Sequence, residues 1–158
     1  MIVRAYRPGD AQAVIDVILP IQREEFGFSI TAEDQPDLAD IPGWYQTGAG
    51  QFWLAEQDGR AVGTIALKDI GGDAVALRKM FVRPEGRGAA GAAAALLATA
   101  LEHARTHGVG EVWLGTTERF QAAHRFYEKN GFTQVAADDL PAAFPRMAVD
   151  TRFYRLAL

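Results

Sequence analysis

Few side chains in this sequence can do chemistry, and the absences narrow the choice. The 158-residue chain has no cysteine and three histidines, His103, His107 and His124. Thiol nucleophiles, disulfides, Cys-ligated zinc and iron–sulfur clusters are therefore excluded. His103 and His107 stand four apart, which puts both on one helical face, but no H-E-x-x-H pattern accompanies them. No metal site is expected, and the pair reads as helix-end imidazoles complementing the dipole. Gly86-Arg87-Gly88-Ala89-Ala90-Gly91 fits G-x-G-x-x-G. A glycine-rich turn opening a helix can hold a phosphate, because the first N–H groups of a helix lack internal partners and its dipole favours an anion. Arg87 adds a charge-assisted donor at the same turn.

In a dinucleotide fold such a loop follows its strand directly, with an acid about 20 residues further on. Here Arg83-Pro84-Glu85 intervene after Val82, and the preceding strand carries Arg78 and Lys79. Strands of a doubly wound parallel sheet are nearly continuous apolar runs instead. The loop therefore suits either a phosphate or pyrophosphate outside a dinucleotide fold, or a tight strand–helix turn in which Ala serves helix propensity.

The elements around these residues can be read from pattern and turn chemistry. IVRAY (2–6) alternates as a short strand, and Asp10 is the expected N-cap of a helix over 11–26 that Pro20 kinks or ends. Residues 27–50 are irregular, with a short helix near 35–45. QFWLAEQ (51–57) and RAVGTIAL (60–67) flank Asp58-Gly59 as a hairpin, and Gly71-Gly72-Asp73 leads into a third strand, AVALRKMFV (74–82). A helix over 89–107 should end at Gly108 and bury Ala93, Leu97, Ala100, Leu101 and Ala104. A strand (111–116), a helix (118–130), a strand (132–137) and a last strand within 146–157 complete the order. Strands in a meander between helices make a mixed α/β domain rather than repeated βαβ units. One domain over residues 1–158 is expected at this length.

The net charge of −4 argues against a nucleic-acid partner. No apolar run approaches the roughly 20 residues of a membrane span, and the first residues lack a signal-peptide core. A cytoplasmic protein with no membrane partner is the expectation.

Two motifs, in this order and separation, resemble the GNAT superfamily of acyl-CoA-dependent N-acyltransferases. LRKMFV, the turn RPEG and Arg87-Gly88-Ala89-Ala90-Gly91-Ala92 resemble the family's strand, Pro-containing turn and R/Q-x-x-G/A-x-G/A loop. Phe120-Gln121-Ala122-Ala123-His124-Arg125-Phe126-Tyr127-Glu128-Lys129-Asn130-Gly131-Phe132 resembles N-x-x-A-x-x-L-Y-x-x-x-G-F. The resemblance implies an α/β (mixed α+β) fold with a mostly antiparallel sheet of six to seven strands, flanked by about four helices. It implies an N-acetyltransferase that uses acetyl-CoA and no metal, with the amine attacking the thioester directly. The backbone of Met80, Phe81 and Val82 would pair with the pantetheine arm. Arg87, Gly88, Ala89, Ala90, Gly91, Ala92 and Ala93 would hold the pyrophosphate. Phe120, where the family has Asn, would pack on the pantetheine or adenine. Helical spacing puts it on one face with Tyr127 and leaves Ala123 as a gap between them. Tyr127 falls on the family's general acid. A non-catalytic acyl-CoA-binding sensor on the same fold is the alternative, which has no use for a placed acid.

The acceptor would be a small-molecule or peptide amine, and a homodimer is compatible with the resemblance. Glu24, Glu25 and Asp34 lie in the region that walls the acceptor site in the resembled family. Residues 24–40 also hold Glu33, Asp37 and Asp40, and with Phe26, Phe28, Trp44, Tyr45, Phe52 and Trp53 they would either line a pocket that suits a cationic amine or form a solvated acidic loop beside core aromatics. Ala90 stands where the family has Gly, and Leu96-Leu97 come one residue late, so the loop is expected to depart from the family pattern there.

Overall fold

The computed structural model describes residues 1–158. Seven strands form one sheet: β1 (Ile2–Ala5), β2 (Gln51–Gln57), β3 (Arg60–Gly71), β4 (Ala74–Val82), β5 (Glu111–Thr116), β6 (Thr133–Val135) and β7 (Arg152–Ala157). Their spatial order is β1-β2-β3-β4-β5-β7-β6, antiparallel throughout except for β4 beside β5. The β2–β3 hairpin turns on Asp58 and Gly59, both left-handed with φ of 53° and 77°. Two such residues make the turn whose twist matches its strands.

The parallel pair opens partway along. β4 and β5 are joined only over Ala74–Ala76 and Glu111–Trp113. Beyond Ala76, β4 remains paired to β3 through Phe81 and Val82, but its other edge has no strand partner. The parting coincides with a bulge, where the register between β3 and β4 shifts and Lys79 takes φ of 54°. A left-handed non-glycine residue costs about 1–2 kcal/mol, so the surroundings must hold it there.

Five helices cover the two faces: α1 (Ala11–Pro20), α2 (Pro36–Ala39), α3 (Ile41–Tyr45), α4 (Ala92–Thr106) and α5 (Gln121–Lys129). Val14 and Ile18 of α1, Leu38 and Ile41 pack with Tyr45, Phe52, Leu54 and Ala66 on one face. Leu96, Leu97, Ala100 and Leu101 of α4 pack with Ile65, Val75, Leu77, Val112, Leu114 and Tyr127 on the other. Side chains alternate along a strand. Ala76 and Arg78 of β4, and Trp113 and Gly115 of β5, therefore belong to the α1 face. No helix is long and apolar enough to cross a membrane.

Several boundaries differ from those expected, each for a local reason. Pro20 ends α1, and the chain continues as a wider π turn over Ile21–Glu25. Pro lacks the N–H an α-helix needs, and its ring crowds the preceding turn. Asp10 occupies the N-cap position without capping. Its carboxylate is taken by the Arg4 guanidinium at 2.8 Å and 2.9 Å and by the Arg7 N–H. The helix expected from residue 89 begins at Ala92, because Gly88–Ala90 form a 3-10 turn and Gly91 is left-handed. Its buried stripe therefore starts with Ala92 and Leu96, and Ala93 is only partly covered. α5 begins at Gln121 rather than 118, β6 is confined to 133–135 and β7 starts at 152.

Candidate active site

The glycine loop forms a cradle of unpaired donors. The N–H groups of Gly88, Ala89, Ala92, Ala93 and Ala94 donate to no protein atom, while those of Ala90 and Gly91 are used inside the turn. Gly88 and Gly91 have φ of 61° and 74°, which requires glycine; Ala90 is not left-handed, so alanine serves there. The late start of α4 thus lengthens the loop and leaves its first N–H groups without a protein acceptor. Small side chains, open N–H groups and a helix start together suit a diphosphate. Arg87 lies folded back, its Nε donating to the Val82 carbonyl at 2.9 Å and its Nη2 paired with Glu25 at 2.7 Å.

Tyr127 of α5 is 6% exposed and packs edge-on against Phe126 and Phe132, with Tyr154 beside them. Its hydroxyl makes no hydrogen bond to the protein, yet its oxygen is not sealed from solvent. A buried tyrosine ordinarily finds a partner for its O–H. Burial alone pushes this phenol's pKa up, so it stays protonated at neutral pH.

Phe120 is not on a helical face with Tyr127. It precedes α5 as the N-cap residue, with ψ of 61°. Its ring stacks on Phe26 at 3.8 Å and lies 6.1 Å from Phe28. Phe26 in turn meets Phe81 of β4 at 6.4 Å, so an aromatic cluster joins the α1–α2 connection to the strand before the loop.

The bulge at Lys79 is pinned from both ends. Thr64 Oγ1 donates to the Lys79 carbonyl at 2.7 Å. The ammonium, its side chain 6% exposed, donates to Gln35 Oε1 at 2.6 Å and lies 3.4 Å from Asp37 Oδ2. Asp37 also accepts from the Tyr45 hydroxyl at 2.5 Å, and Gln35 exchanges amide hydrogen bonds with Gln22. Burial lowers the Lys79 pKa, and the Asp37 carboxylate opposes that shift. Sequence reasoning did not find this cluster. Its signals were a pair of charged residues, Arg78-Lys79, in an otherwise apolar strand, and Asp37 within the acidic run of residues 24–40.

The three acids expected at the acceptor site do not gather. Glu25 is bound to Arg87 at the cradle, and Glu24 is exposed without a polar partner. Asp34 closes a surface turn by accepting the Thr31 N–H. The buried acids of the α1 face are Asp10, which is taken by Arg4, with Asp37 and Asp150. His124 is buried with Nε2 2.9 Å from the Thr117 carbonyl. His103 is half-buried, its Nε2 3.1 Å from the Ala49 carbonyl and its ring against Trp53, and exposed His107 stacks on it. The pair anchors the end of α4 rather than simply facing solvent.

Residues 15–132 fit the acetyltransferase (GNAT) family. The chain is 41% identical over 105 residues to N-acetylaspartate synthetase of Rattus norvegicus, covering 65% of this chain and 35% of that protein. It thus spans about a third of the length of these curated relatives. The crystal structure of a GNAT-family acetyltransferase from Staphylococcus aureus superposes with a TM-score of 0.94 at 36% identity, over 99% of this chain and 98% of that one. An acetyltransferase from Streptococcus agalactiae superposes with a TM-score of 0.93 at 30% identity, over 99% and 98%.

Proposed function

The chain belongs to the GNAT acetyltransferase family, and on that premise we propose that it is an N-acetyltransferase domain moving an acetyl group from acetyl-CoA to the amine of a small molecule or peptide. One observation carries the reading. An open N–H cradle and a buried, unpartnered phenol flank a sheet whose β4 edge is bare. The kinship with N-acetylaspartate synthetases supports a small amine as acceptor.

Acetyl-CoA would supply the activated acetyl thioester. The cradle N–H groups of Gly88, Ala89, Ala92 and Ala93, with those of Ala90 and Gly91 shaping the turn, would hold its diphosphate. The free edge at Met80, Phe81 and Val82 would pair with the amides of its arm as an added strand does. A backbone N–H there would stabilise charge developing on the thioester oxygen. Phe120 would close over the arm from the aromatic cluster. The amine nitrogen bonds to the acetyl carbon as the C–S bond breaks, Tyr127 gives its proton to the leaving sulfur, and the proton lost from the nitrogen restores the phenol. No acyl-enzyme is needed. A sensor that only bound acyl-CoA would have no use for the Tyr127 hydroxyl.

The test is CoA release from acetyl-CoA with a panel of amines, alongside calorimetric titration with acetyl-CoA and with NAD. Acetyl-CoA is expected to bind and at least one amine to raise CoA release above hydrolysis. Binding without transfer to any amine would favour the sensor, and binding of NAD alone would remove the reading altogether. Arg87→Gln is expected to raise KM for acetyl-CoA by about tenfold, since a charge-assisted contact is worth about 1.5–3 kcal/mol. Its melting temperature should hardly move, because the half-exposed pair with Glu25 contributes at most about 1 kcal/mol.

A further inference from the structure

We propose that the acceptor amine also carries a carboxylate, gripped by Arg78 and Arg146, with its amino group turned to Asp150. This rests on the acetyl-transfer reading above and narrows it.

Arg78 and Gly115 face each other across the gap between β4 and β5. Each lies two residues past the last paired position, Ala76 and Trp113, and on the same side of the sheet. Asp150 sits over Gly115. A Cβ there would come within 2.6 Å of Asp150 Oδ2, so only glycine leaves room for the carboxylate. Asp150 is buried, and Oδ2 accepts the Met147 N–H at 2.9 Å. Oδ1 has no protein donor.

The cations around it are in excess. Arg78 is half-buried and pairs with no carboxylate; its one side-chain partner is the Met147 sulfur at 3.4 Å. Arg146 likewise pairs with no carboxylate and rests over the Phe153 ring at 5.1 Å. Both guanidinia act on Asp150, pulling down a carboxyl pKa that burial pushes up. The other buried acids on this face are already committed, Asp37 to Lys79 and Tyr45 and Asp10 to Arg4. Two guanidinia therefore share one carboxylate, leaving one positive charge uncompensated beside the gap. A guanidinium fork matches a carboxylate in two parallel hydrogen bonds. A cationic ligand without an anionic group would meet repulsion here, and the acids it would need lie elsewhere.

The same geometry accounts for the proton on the acceptor. An ammonium held at the free Oδ1 loses one proton to Asp150. Its nitrogen then forms the bond to the acetyl carbon as the C–S bond breaks, Tyr127 protonates the sulfur, and the second proton released from the nitrogen restores the Tyr127 phenol. Burial makes the Asp150 carboxylate a better proton acceptor than an exposed one.

The probes are L-alanine, L-aspartate and L-glutamate, each compared with its fully amidated counterpart, in steady-state CoA release. Wild type is expected to favour the carboxylates by about 100-fold in kcat/KM. Arg78→Gln should raise KM for them about thirtyfold and leave KM for acetyl-CoA unchanged. Arg78→Lys, which keeps the charge but not the fork, should fall between. Arg146→Gln, on an exposed loop, reads the same ratio if Arg78→Gln fails to fold. Asp150→Asn should lower kcat about 100-fold without changing KM for acetyl-CoA. Equal rates on acids and amides, an unchanged ratio in both arginine variants, or acetylation of none of the acids while acetyl-CoA binds would each overturn the proposal. Failure of wild type to bind acetyl-CoA would instead overturn the acetyl-transfer reading beneath it.

Discussion

Replacing Tyr127 by Phe is expected to lower kcat for acetyl transfer by about 10²–10³-fold while the affinity for acetyl-CoA changes by less than about twofold. The hydroxyl makes no protein hydrogen bond, so its removal strands no protein group. The ring keeps its contacts with Phe126, Phe132 and Tyr154, so the core stays filled. The melting temperature should therefore stay level or rise slightly. The loss belongs to the departure of the sulfur, which must otherwise leave as a bare thiolate in a water-poor site. Burial holds the phenol protonated at least up to the ordinary tyrosine value of about 10. No limb of the pH–rate curve below that value should report Tyr127, and the variant should keep the shape of the wild-type curve. Steady-state kinetics, calorimetry and a thermal melt measure all three quantities. An unchanged kcat would remove Tyr127 from the chemistry and leave it a core residue.

Asp37→Ala should be the most damaging of the substitutions to stability. It leaves the Lys79 ammonium buried with only the amide oxygen of Gln35, and it strips the Tyr45 hydroxyl of its acceptor. Truncating one member of a buried pair costs about 3–5 kcal/mol. For a chain of this size that corresponds to a fall in melting temperature of roughly 10 °C. The pH dependence has a definite sign. Burial already lowers the Lys79 pKa in the fold, and removing Asp37 lowers it further. The unfolded chain holds that proton up to about pH 10.4. Between the lowered folded value and the unfolded one the unfolded state binds more protons, so stability rises with pH. The variant should recover part of its loss as pH is raised through that window. Asp37→Ala with Lys79→Met should be more stable than Asp37→Ala alone, because the orphaned charge is gone. A double variant no better than the single one would show that the cost lies in packing rather than in charge. Because Lys79 pins the bulge that bares the β4 edge, the double variant is also expected to bind acetyl-CoA more weakly than wild type.

The order of strands and helices, the Asp58-Gly59 hairpin and the phosphate-type loop were legible in the sequence. Each depends on residues adjacent in the chain: alternation, turn glycines, an apolar stripe. The motif containing Tyr127 was legible for the same reason. Ala90 and the late leucines, which looked like irregularities, follow from one local fact. Gly91 takes the left-handed conformation and starts α4 at Ala92, so the leucines arrive on its first buried turns.

The grouping of charges on the α1 face was not legible. Glu24, Glu25 and Asp34 formed a promising acidic run, but the fold sends them to the cradle, to solvent and to a surface turn. Lys79 meets Gln35 across 44 residues of chain, and Arg78 meets Met147 across 69. Which of these groups end up together depends on a one-residue bulge that places Arg78 and Lys79 on the same side of the sheet. A bulge leaves no periodic mark in nine residues of strand, because it changes the register with a neighbour rather than the pattern of side chains. By itself the sequence determined the elements, the cradle and the phenol, since short-range sterics and hydrophobic period set them. Only the tertiary structure decided which charges are compensated, because burial and pairing across the sheet, not residue type, determine whether an arginine or an aspartate is left free to meet a substrate.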